Sequence, residues 1–208
     1  GMSLVSRGNT AFTPSALFTN GEEGSWLDPS DVTTMFTDTG GTTQAGVGDA
    51  VARIDDKSGN GLNATQATVA ARPTYQTDPD RLTFDLVDDN MSMDFTGKSG
   101  AYTLLQGSEE GIVHAKVNVP DGAYSFTVDP FRFPGNNITG YVLREGDLTA
   151  SEVESTKSYL QTQGSGSDFS GVTDMIAWFR DRTDLVELYS GDWDTSSVTD
   201  FVNFANGC

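Results

Sequence analysis

Short apolar runs alternate with clusters of glycine, asparagine and aspartate over most of residues 45–145. Runs of this kind at roughly ten-residue spacing, bounded by turn residues, predict β-strands. The predicted strands are 72–75, 82–87, 91–95, 102–106, 111–119, 123–128 and 138–144. Pro120-Asp121-Gly122 predicts a hairpin turn between two of them. The pattern favours a mainly β fold, a compact antiparallel sandwich of the jelly-roll kind.

A short N-terminal helix is predicted where the strand pattern has not yet begun. Asp28 is a good N-cap and Pro29 suits the first helical position. Val32, Met35 and Phe36 follow at helical spacing, so they would share one apolar face.

A second helix is predicted over residues 149–162, at the end of the β module. Thr149 and Glu152 have the spacing of a capping box, and Gly164 supplies a left-handed stop. Gly164 to Ser167 is typical of a linker.

Residues 170–208 contain an internal repeat. Val172-Thr-Asp-Met-Ile-Ala-Trp178 recurs as Val198-Thr-Asp-Phe-Val-Asn-Phe204, at an offset of 26 residues. A period of roughly 20–29 residues is typical of leucine-rich repeats. Because the second copy stops at Cys208, we expect the chain to be a piece of a longer repeat protein, and Gly1 before Met2 to be a tag remnant. The predicted organisation is a tail (1–14), a β-sandwich-like module (15–163) and the start of the repeats (170–208).

Composition removes some classes of partner. The formal net charge of −18 repels phosphates, so we expect no nucleic-acid partner. No run approaches the roughly 18 apolar residues of a membrane span, so we expect no membrane insertion. Of the 30 acids, 22 are aspartates, which favour turns. The single cysteine, Cys208, allows no intrachain disulfide, and the N-terminus lacks a signal-peptide pattern, which fits a phage particle.

Three segments carry a first resemblance: 55–66 (DDKSGNGLNATQ), 71–74 (ARPT) and 82–90 (LTFDLVDDN). With residues 24–31 and the helix at 149, they resemble phage and prophage tail-associated proteins. Some members of that group carry a concanavalin/laminin-G-like β-sandwich between these landmarks. The resemblance covers about residues 17–163 and implies an abridged sandwich, because only a short stretch separates Phe95 from the second helix.

A second resemblance lies in residues 191–200 (GDWDTSSVTD) and 204–208 (FANGC). Both resemble the repeating unit of BspA-like leucine-rich repeats, which occur on bacterial surface proteins. That resemblance implies a truncated leucine-rich-repeat solenoid and a role in adhesion.

One loop offers metal-ligand spacing. Asp56, Ser58 and Asn60 place oxygens at positions 1, 3 and 5 of a calcium-loop pattern, with glycine at position 6 but alanine at position 12. No EF-hand is therefore predicted. A weaker Ca²⁺ site, joined by Asp88 or Asp89, is one interpretation. An Asx-rich turn that bonds its own backbone is the other. No other cofactor is predicted.

Catalytic residues are not predicted. His114, the only histidine, lies in a predicted strand, where we expect it on the solvent face. The acid pairs Glu22/Glu23 and Glu109/Glu110 lie in predicted loops, where ionised carboxylates are the expectation. No GxSxG motif is present.

We therefore expect a non-enzymatic structural or adhesive module of a phage tail or cell-surface protein, located on a virion or an extracellular surface. Its expected partners are a host-surface receptor or glycan, other tail or surface subunits, and copies of itself. The alternative is a lectin-like carbohydrate-binding module assisted by calcium, and the third interpretation is a hydrolase.

Overall fold

The computed structural model describes residues 11–128, 136–165 and 185–189, the last range by its backbone alone. Thirteen short strands lie in these ranges. In chain order they are β1 Gly24–Leu27, β2 Met35–Phe36, β3 Arg53–Ile54, β4 Ala64–Thr65, β5 Thr74–Gln76, β6 Arg81–Thr83, β7 Met91–Asp94, β8 Gly100–Ser108, β9 Gly111–Val119, β10 Ala123–Phe126, β11 Asn137–Ile138, β12 Gly140–Glu145 and β13 Leu185–Tyr189. One α-helix, α1, spans Ala150–Thr162, and short 3₁₀ helices lie at Pro14–Phe18, Val32–Thr34 and Val69–Ala71. No helix among the described residues is long and apolar enough to cross a membrane.

The strands form three antiparallel sheets. The first sheet has the order β1-β12-β8-β9-β13, and the pair β8–β9 runs in unbroken register from Gly100 opposite Val119 to Ser108 opposite Gly111. The second sheet has the order β10-β7-β4-β3-β2, and the third has the order β11-β6-β5. The prediction of a mainly β, antiparallel fold is therefore confirmed.

Side chains of the first and second sheets meet in one apolar core. On β9, strand alternation sends Val113 and Ala115 into this core and Ile112 to the opposite face. The ring of Phe126 from the second sheet stacks on that of Tyr141 from the first, with centroids 4.5 Å apart. Other members of the core include Ile54, Met91, Met93, Phe95, Tyr102, Leu104 and Leu143. Packing two sheets on a shared core is what a sandwich requires.

Helix α1 covers the other face of the first sheet. Its capping box forms as predicted: the Thr149 hydroxyl accepts the N–H of Glu152, and the Glu152 carboxylate accepts the N–H of Thr149. Val153 and Leu160 pack against side chains of β8 and β9. The helix approaches β12 closely at Gly140, where a Cβ would lie 2.5 Å from Leu160 Cδ2.

The predicted N-terminal helix is wrong. Val32–Thr34 form only a short 3₁₀ helix, and Met35–Phe36 form β2, paired with β3. The Asp28 carboxylate accepts the N–H of Ser30 at 3.1 Å, which makes an Asx turn rather than a helix N-cap. The 3₁₀ segment consists of three β-branched residues, which lose side-chain freedom in a helix and favour strands.

Two strand predictions are also corrected. The chain only bends at residues 121–122, and β10 leaves the first sheet and pairs with β7 of the second, so the predicted hairpin does not form. Both edges of β9 are already occupied, by β8 and β13. The strand predicted over 82–87 ends at Thr83. Leu86 has a left-handed φ of 64°, which cannot continue a strand.

Most of the predicted repeat segment, residues 170–184 and 190–208, lies outside the described residues, as do residues 1–10 of the predicted tail. The exception is β13, which pairs antiparallel with β9 and so belongs to the first sheet. The leucine-rich repeats and the domain boundaries stay predictions.

Candidate functional site

Strand β1 lies at one edge of the first sheet, and the loop 56–62 covers that edge. Asp56 joins the loop to β1 and also holds the backbone of the loop itself. Its carboxylate accepts the N–H groups of Trp26 at 2.9 Å, Ser58 at 2.8 Å and Leu62 at 3.0 Å. An uncovered strand edge is a template for unwanted pairing, so this loop closes the sheet on that side.

Ser58 and Asn60 complete the cover. The Ser58 hydroxyl lies 3.1 Å from the carbonyl oxygen of Gly24 and 2.7 Å from the Asp56 carboxylate. Asn60 Nδ2 donates to the carbonyls of Glu22 and Gly24, both at 3.0 Å. The structure therefore brings together the three residues predicted as calcium ligands, and it directs their side chains at the backbone of β1 and its lead-in.

This arrangement bears on the calcium prediction without testing it. Ca²⁺ takes about six to eight oxygen ligands. Here the Asp56 oxygens already accept four donor groups, and Asn60 turns its amide nitrogen, not its oxygen, toward β1. A calcium site on Asp56, Ser58 and Asn60 stays a prediction. Asp88 and Asp89, which we expected to join it, belong to a different loop.

A partly buried ion-pair network joins this loop, through Lys57, to α1. Asp28 is only 2% exposed. Its Oδ2 accepts Lys57 Nζ at 2.9 Å and the Tyr159 hydroxyl at 2.8 Å. Asp31 lies 3.0 Å from the same Lys57 Nζ. Burial alone lowers the pKa of Lys57, but hydrogen bonds and charges from Asp28 and Asp31 outweigh it, so the pKa is raised. The network holds the ammonium in its charged form between three chain segments.

Three carboxylates converge on the loop after β6. Oxygens of Asp85, Asp88 and Asp89 lie within 4.8 Å of one another. Asp85 Oδ1 accepts the N–H groups of Val87, Asp88 and Asp89, and the bond from Val87 contributes most to lowering the pKa of Asp85. Burial, followed by the charges of Asp85 and Asp88, raises the pKa of Asp89. Within the described ranges, these three residues have the spacing that could hold a divalent cation.

The same loop carries exposed apolar side chains. Val87 is 85% exposed and Leu86 41% exposed. Val69, 67% exposed, lies on an adjoining turn, which is joined to this loop where Asn90 donates its N–H to the carbonyl of Ala71 at 3.1 Å. We call Leu86 and Val87 the apolar tip. A cavity of about 340 Å³, lined in part by Leu86 and Val87, opens beside it.

A polar cleft of about 480 Å³ lies where the end of α1 meets the turn between β5 and β6. We call it the α1 cleft. The groups that line it include Ser30, Thr77, Asp78, Asp80, Thr162 and Gln163. The Arg81 guanidinium fixes the turn by donating to the carbonyls of Thr77 and Pro79 at 2.8 and 2.9 Å. Packing is close at Gly164, where a Cβ would lie 2.6 Å from Pro79 Cβ. Hydroxyl, carboxylate and amide groups on such a fixed backbone suit the binding of a polar ligand.

His114 is 8% exposed, so the prediction that it faces solvent is wrong. It lies on the same face of β9 as Ile112, which packs with Val153 of α1. In addition, β13 extends the sheet beyond β9, with Glu187 opposite His114 in register. Helix α1 and β13 thus flank a face that local sequence alone assigns to solvent.

The acid pairs singled out in the sequence hold chain segments together. Glutamates 22, 23 and 109 each pair with an arginine or a lysine. Glu110 differs, because burial raises its pKa to about 7. Asn137 Nδ2 lies 3.3 Å from both Glu110 oxygens, and Asn137 Oδ1 accepts the N–H of Glu109 at 2.9 Å. A raised pKa suits a general acid, but this geometry anchors the β8–β9 turn to β11.

Sequence reasoning missed the ion-pair network and the α1 cleft. Tyr159 and Asp28 are 131 positions apart, so no local spacing points to their contact. The three clustered aspartates could have been found, because they lie within five residues of the sequence. The strand predicted over 82–87 includes Asp85, however, and so separates it from Asp88 and Asp89 in the turn that follows. Comparison of the chain with family models, curated proteins and solved structures finds no match.

Proposed function

We propose that the described residues form a compact, jelly-roll-like β-sandwich that serves as a non-enzymatic structural or adhesive module of a phage tail or cell-surface protein. It binds a host-surface receptor beside other tail or surface subunits. Three features of the fold support the proposal. The first two sheets share a core, α1 packs on the outer face of the first sheet, and side-chain bonds hold the loops. Rigid scaffolds that present loops are common among recognition proteins.

The observation that carries the proposal is the apolar tip. Val87 is 85% exposed, although the Asp85 carboxylate fixes the backbone around it. Apolar side chains held in water contribute nothing to the stability of a free chain. Burying each of these side chains against a partner would contribute about 1.5–3 kcal/mol to the free energy of binding. Exposed apolar groups rimmed by polar residues are typical of interaction sites.

The charge around the tip restricts the chemistry of the receptor. Asp85, Asp88 and Asp89 lie on the same loop, and the chain carries a net charge of −18. Complementary charge speeds encounter and rejects partners of like charge. We therefore expect a receptor surface that combines apolar contacts with basic groups, and we expect no binding to nucleic acid.

Flow cytometry of fluorescently labelled chain on a panel of Gram-positive and Gram-negative cells tests this function. We expect labelling of some cells, and a loss of at least about tenfold in the double variant Leu86→Ser/Val87→Ser, which corresponds to about 1.4 kcal/mol of binding. The control is Val47→Ser, because Val47 is 62% exposed on another loop. No labelling of any cell, or equal labelling by the double variant, would contradict the proposal.

A second candidate function, carbohydrate binding, is favoured by the α1 cleft. Sugar hydroxyls donate to carboxylates and amide oxygens, and the cleft offers both in Asp78 and Gln163. A glycan array probed with wild type, Asp78→Asn and Gln163→Ala tests it, with the exposed Asp94→Asn as control. Binding that both cleft variants weaken would support this candidate. Binding that only EDTA abolishes would favour a calcium-assisted site elsewhere.

A further inference from the structure

Two asparagine–glycine pairs lie in the described residues, and both adjoin the start of β1. They are Asn20-Gly21 and Asn60-Gly61. In such a pair the glycine backbone nitrogen can attack the asparagine side-chain carbon. Glycine has no Cβ to obstruct the attack, and its backbone adopts the required conformations easily. The two pairs share this chemistry but differ in how the structure holds the asparagine amide.

Asn20 is exposed and lies in a turn ahead of β1. Its Nδ2 donates to Glu22 Oε1 at 3.2 Å, and its N–H donates to Glu22 Oε2 at 2.9 Å. Both bonds go to one side chain two positions away, so they do not tie the asparagine to a distant segment. The Gly21 N–H donates to the Phe18 carbonyl across 3.4 Å, at the long end of hydrogen-bond distances.

Asn60 is held differently. It is half-buried, and its Nδ2 donates to the carbonyls of Glu22 and Gly24, both at 3.0 Å and both in a segment more than 30 positions away. These acceptors belong to the backbone, so the amide cannot rotate without losing bonds to the lead-in of β1. The Asp56 carboxylate holds the rest of the loop against the same strand.

We propose that Asn20 is a spontaneous deamidation site of the folded chain, and that the cover over β1 suppresses the same reaction at Asn60. The Gly21 nitrogen forms a bond to Asn20 Cγ and loses its proton, while the bond from Cγ to Nδ2 breaks and ammonia leaves. Water then opens the cyclic imide at either carbonyl. The product is aspartate or isoaspartate, and no other reactant is needed.

Suppression of deamidation at Asn60 matters because the aspartate or isoaspartate produced there could not make the hydrogen bonds that the asparagine amide makes. A carboxylate there would set acceptor oxygens against the carbonyls of Glu22 and Gly24, where the amide now donates. Like acceptors facing each other repel, so the loop would not close again over β1. Protection of Asn60 therefore preserves the edge cover, and this inference is independent of the proposed attachment function.

Peptide mapping by mass spectrometry of the folded chain, incubated at mildly alkaline pH, measures both rates. We expect Asn20 to deamidate at least about tenfold faster than Asn60, since reaction at Asn60 must wait for local opening. In urea the two rates should converge, because both pairs have the same chemistry once unfolded. The variant Asp56→Asn loosens the cover, so it should speed reaction at Asn60 and leave Asn20 unchanged.

Equal rates at the two positions in the folded chain would overturn the proposal. So would a ratio that persists unchanged in urea, because local sequence would then explain it. If Asp56→Asn left the Asn60 rate at its wild-type value while the chain stayed folded, the cover would not be the source of protection.

Discussion

Replacing Asp56 by asparagine tests whether the cover over β1 contributes to stability. The Asp56 carboxylate accepts donors at both oxygens: the N–H groups of Trp26 and Ser58 at Oδ1, and the Ser58 hydroxyl and the Leu62 N–H at Oδ2. Asparagine keeps one oxygen and puts an NH₂ group in place of the other. With the NH₂ group at the position of Oδ1, the N–H groups of Trp26 and Ser58 lose their acceptor. With it at the position of Oδ2, the Leu62 N–H loses its acceptor, while the Ser58 hydroxyl can turn to the Gly24 carbonyl. Side-chain volume hardly changes, so one or two donors are left unsatisfied.

The expected loss follows from the number and kind of these bonds. A hydrogen bond to a charged group is worth about 1.5–3 kcal/mol. The loop is partly exposed, so water replaces some of the lost bonding and the lower figure applies to each donor. Asp56→Asn should therefore lower the free energy of unfolding by about 1.5–3 kcal/mol. For a chain of this size, that corresponds to a fall in Tm of about 3–12 °C.

Urea unfolding and thermal melting of Asp56→Asn and Asp94→Asn, each with EDTA and with added Ca²⁺, measure this loss. Asp94 is an exposed control whose carboxylate, within the described part of the chain, bonds the nearby Thr96 alone, so Asp94→Asn should lose less than about 1 kcal/mol. We expect the Asp56 loss to be the same in EDTA and in Ca²⁺. If the loss vanished in EDTA, the hydrogen-bond argument would be wrong and the calcium prediction would be supported. In that case, Ca²⁺ at a hundred times its Kd would stabilise the wild type by about 2.7 kcal/mol.

Three more substitutions should change stability in ways that the structure specifies. Gly24→Ala should prevent stable folding, because a Cβ at its φ of 145° would lie 2.0 Å from a carbonyl oxygen of β12, whereas Gly59→Ala, with open space around it, should still melt cooperatively. Tyr159→Phe removes the hydroxyl that donates a hydrogen bond to Asp28, so it should lower the free energy of unfolding measured in urea by about 1.5–3 kcal/mol. A double-mutant cycle with Asp28→Asn that gave no coupling energy would contradict this. Glu110→Gln should stabilise the chain at about pH 8 by up to about 3 kcal/mol, because burial raises the folded-state pKa to about 7 and the ionised form is disfavoured. This gain should shrink as pH falls through 7 and disappear below the unfolded pKa of about 4.3, and parallel pH profiles of the two proteins would refute it.

The strands were predictable where one face is buried and the other is not. The predicted strand 91–95 closely matches β7, in which Met91 and Met93 are buried and Ser92 and Asp94 are more exposed. The prediction of β9 has the correct bounds. The helix at 149–162 was predictable because its capping box uses only residues close in sequence. Such signals are local, so one sequence contains them.

Strand β1 was not predictable on the same grounds. All four of its residues are buried, so it shows no alternation, and the Asp-Pro that follows is also a helix-start signal. The same limit applies to His114, whose surroundings come from α1 and β13 rather than from its own strand. Strand β10 could pair with β9 only if an edge of β9 remained open, and both edges are occupied. The turn residues before β10 carry no information on whether that edge is open.

The Asp56-Ser58-Asn60 spacing shows why the candidate site was harder to interpret than the fold. Short side chains that carry oxygen atoms suit two purposes equally well at these positions. If the oxygens converge on a point, they bind a cation. If the side chains instead meet backbone N–H and C=O groups, they close a strand edge. The choice depends on whether unpaired backbone lies within reach, and the backbone in question is β1, about 30 residues earlier in the chain. Wherever this spacing occurs, two interpretations should therefore be compared: a metal site, and a loop that satisfies the backbone groups of an open strand edge.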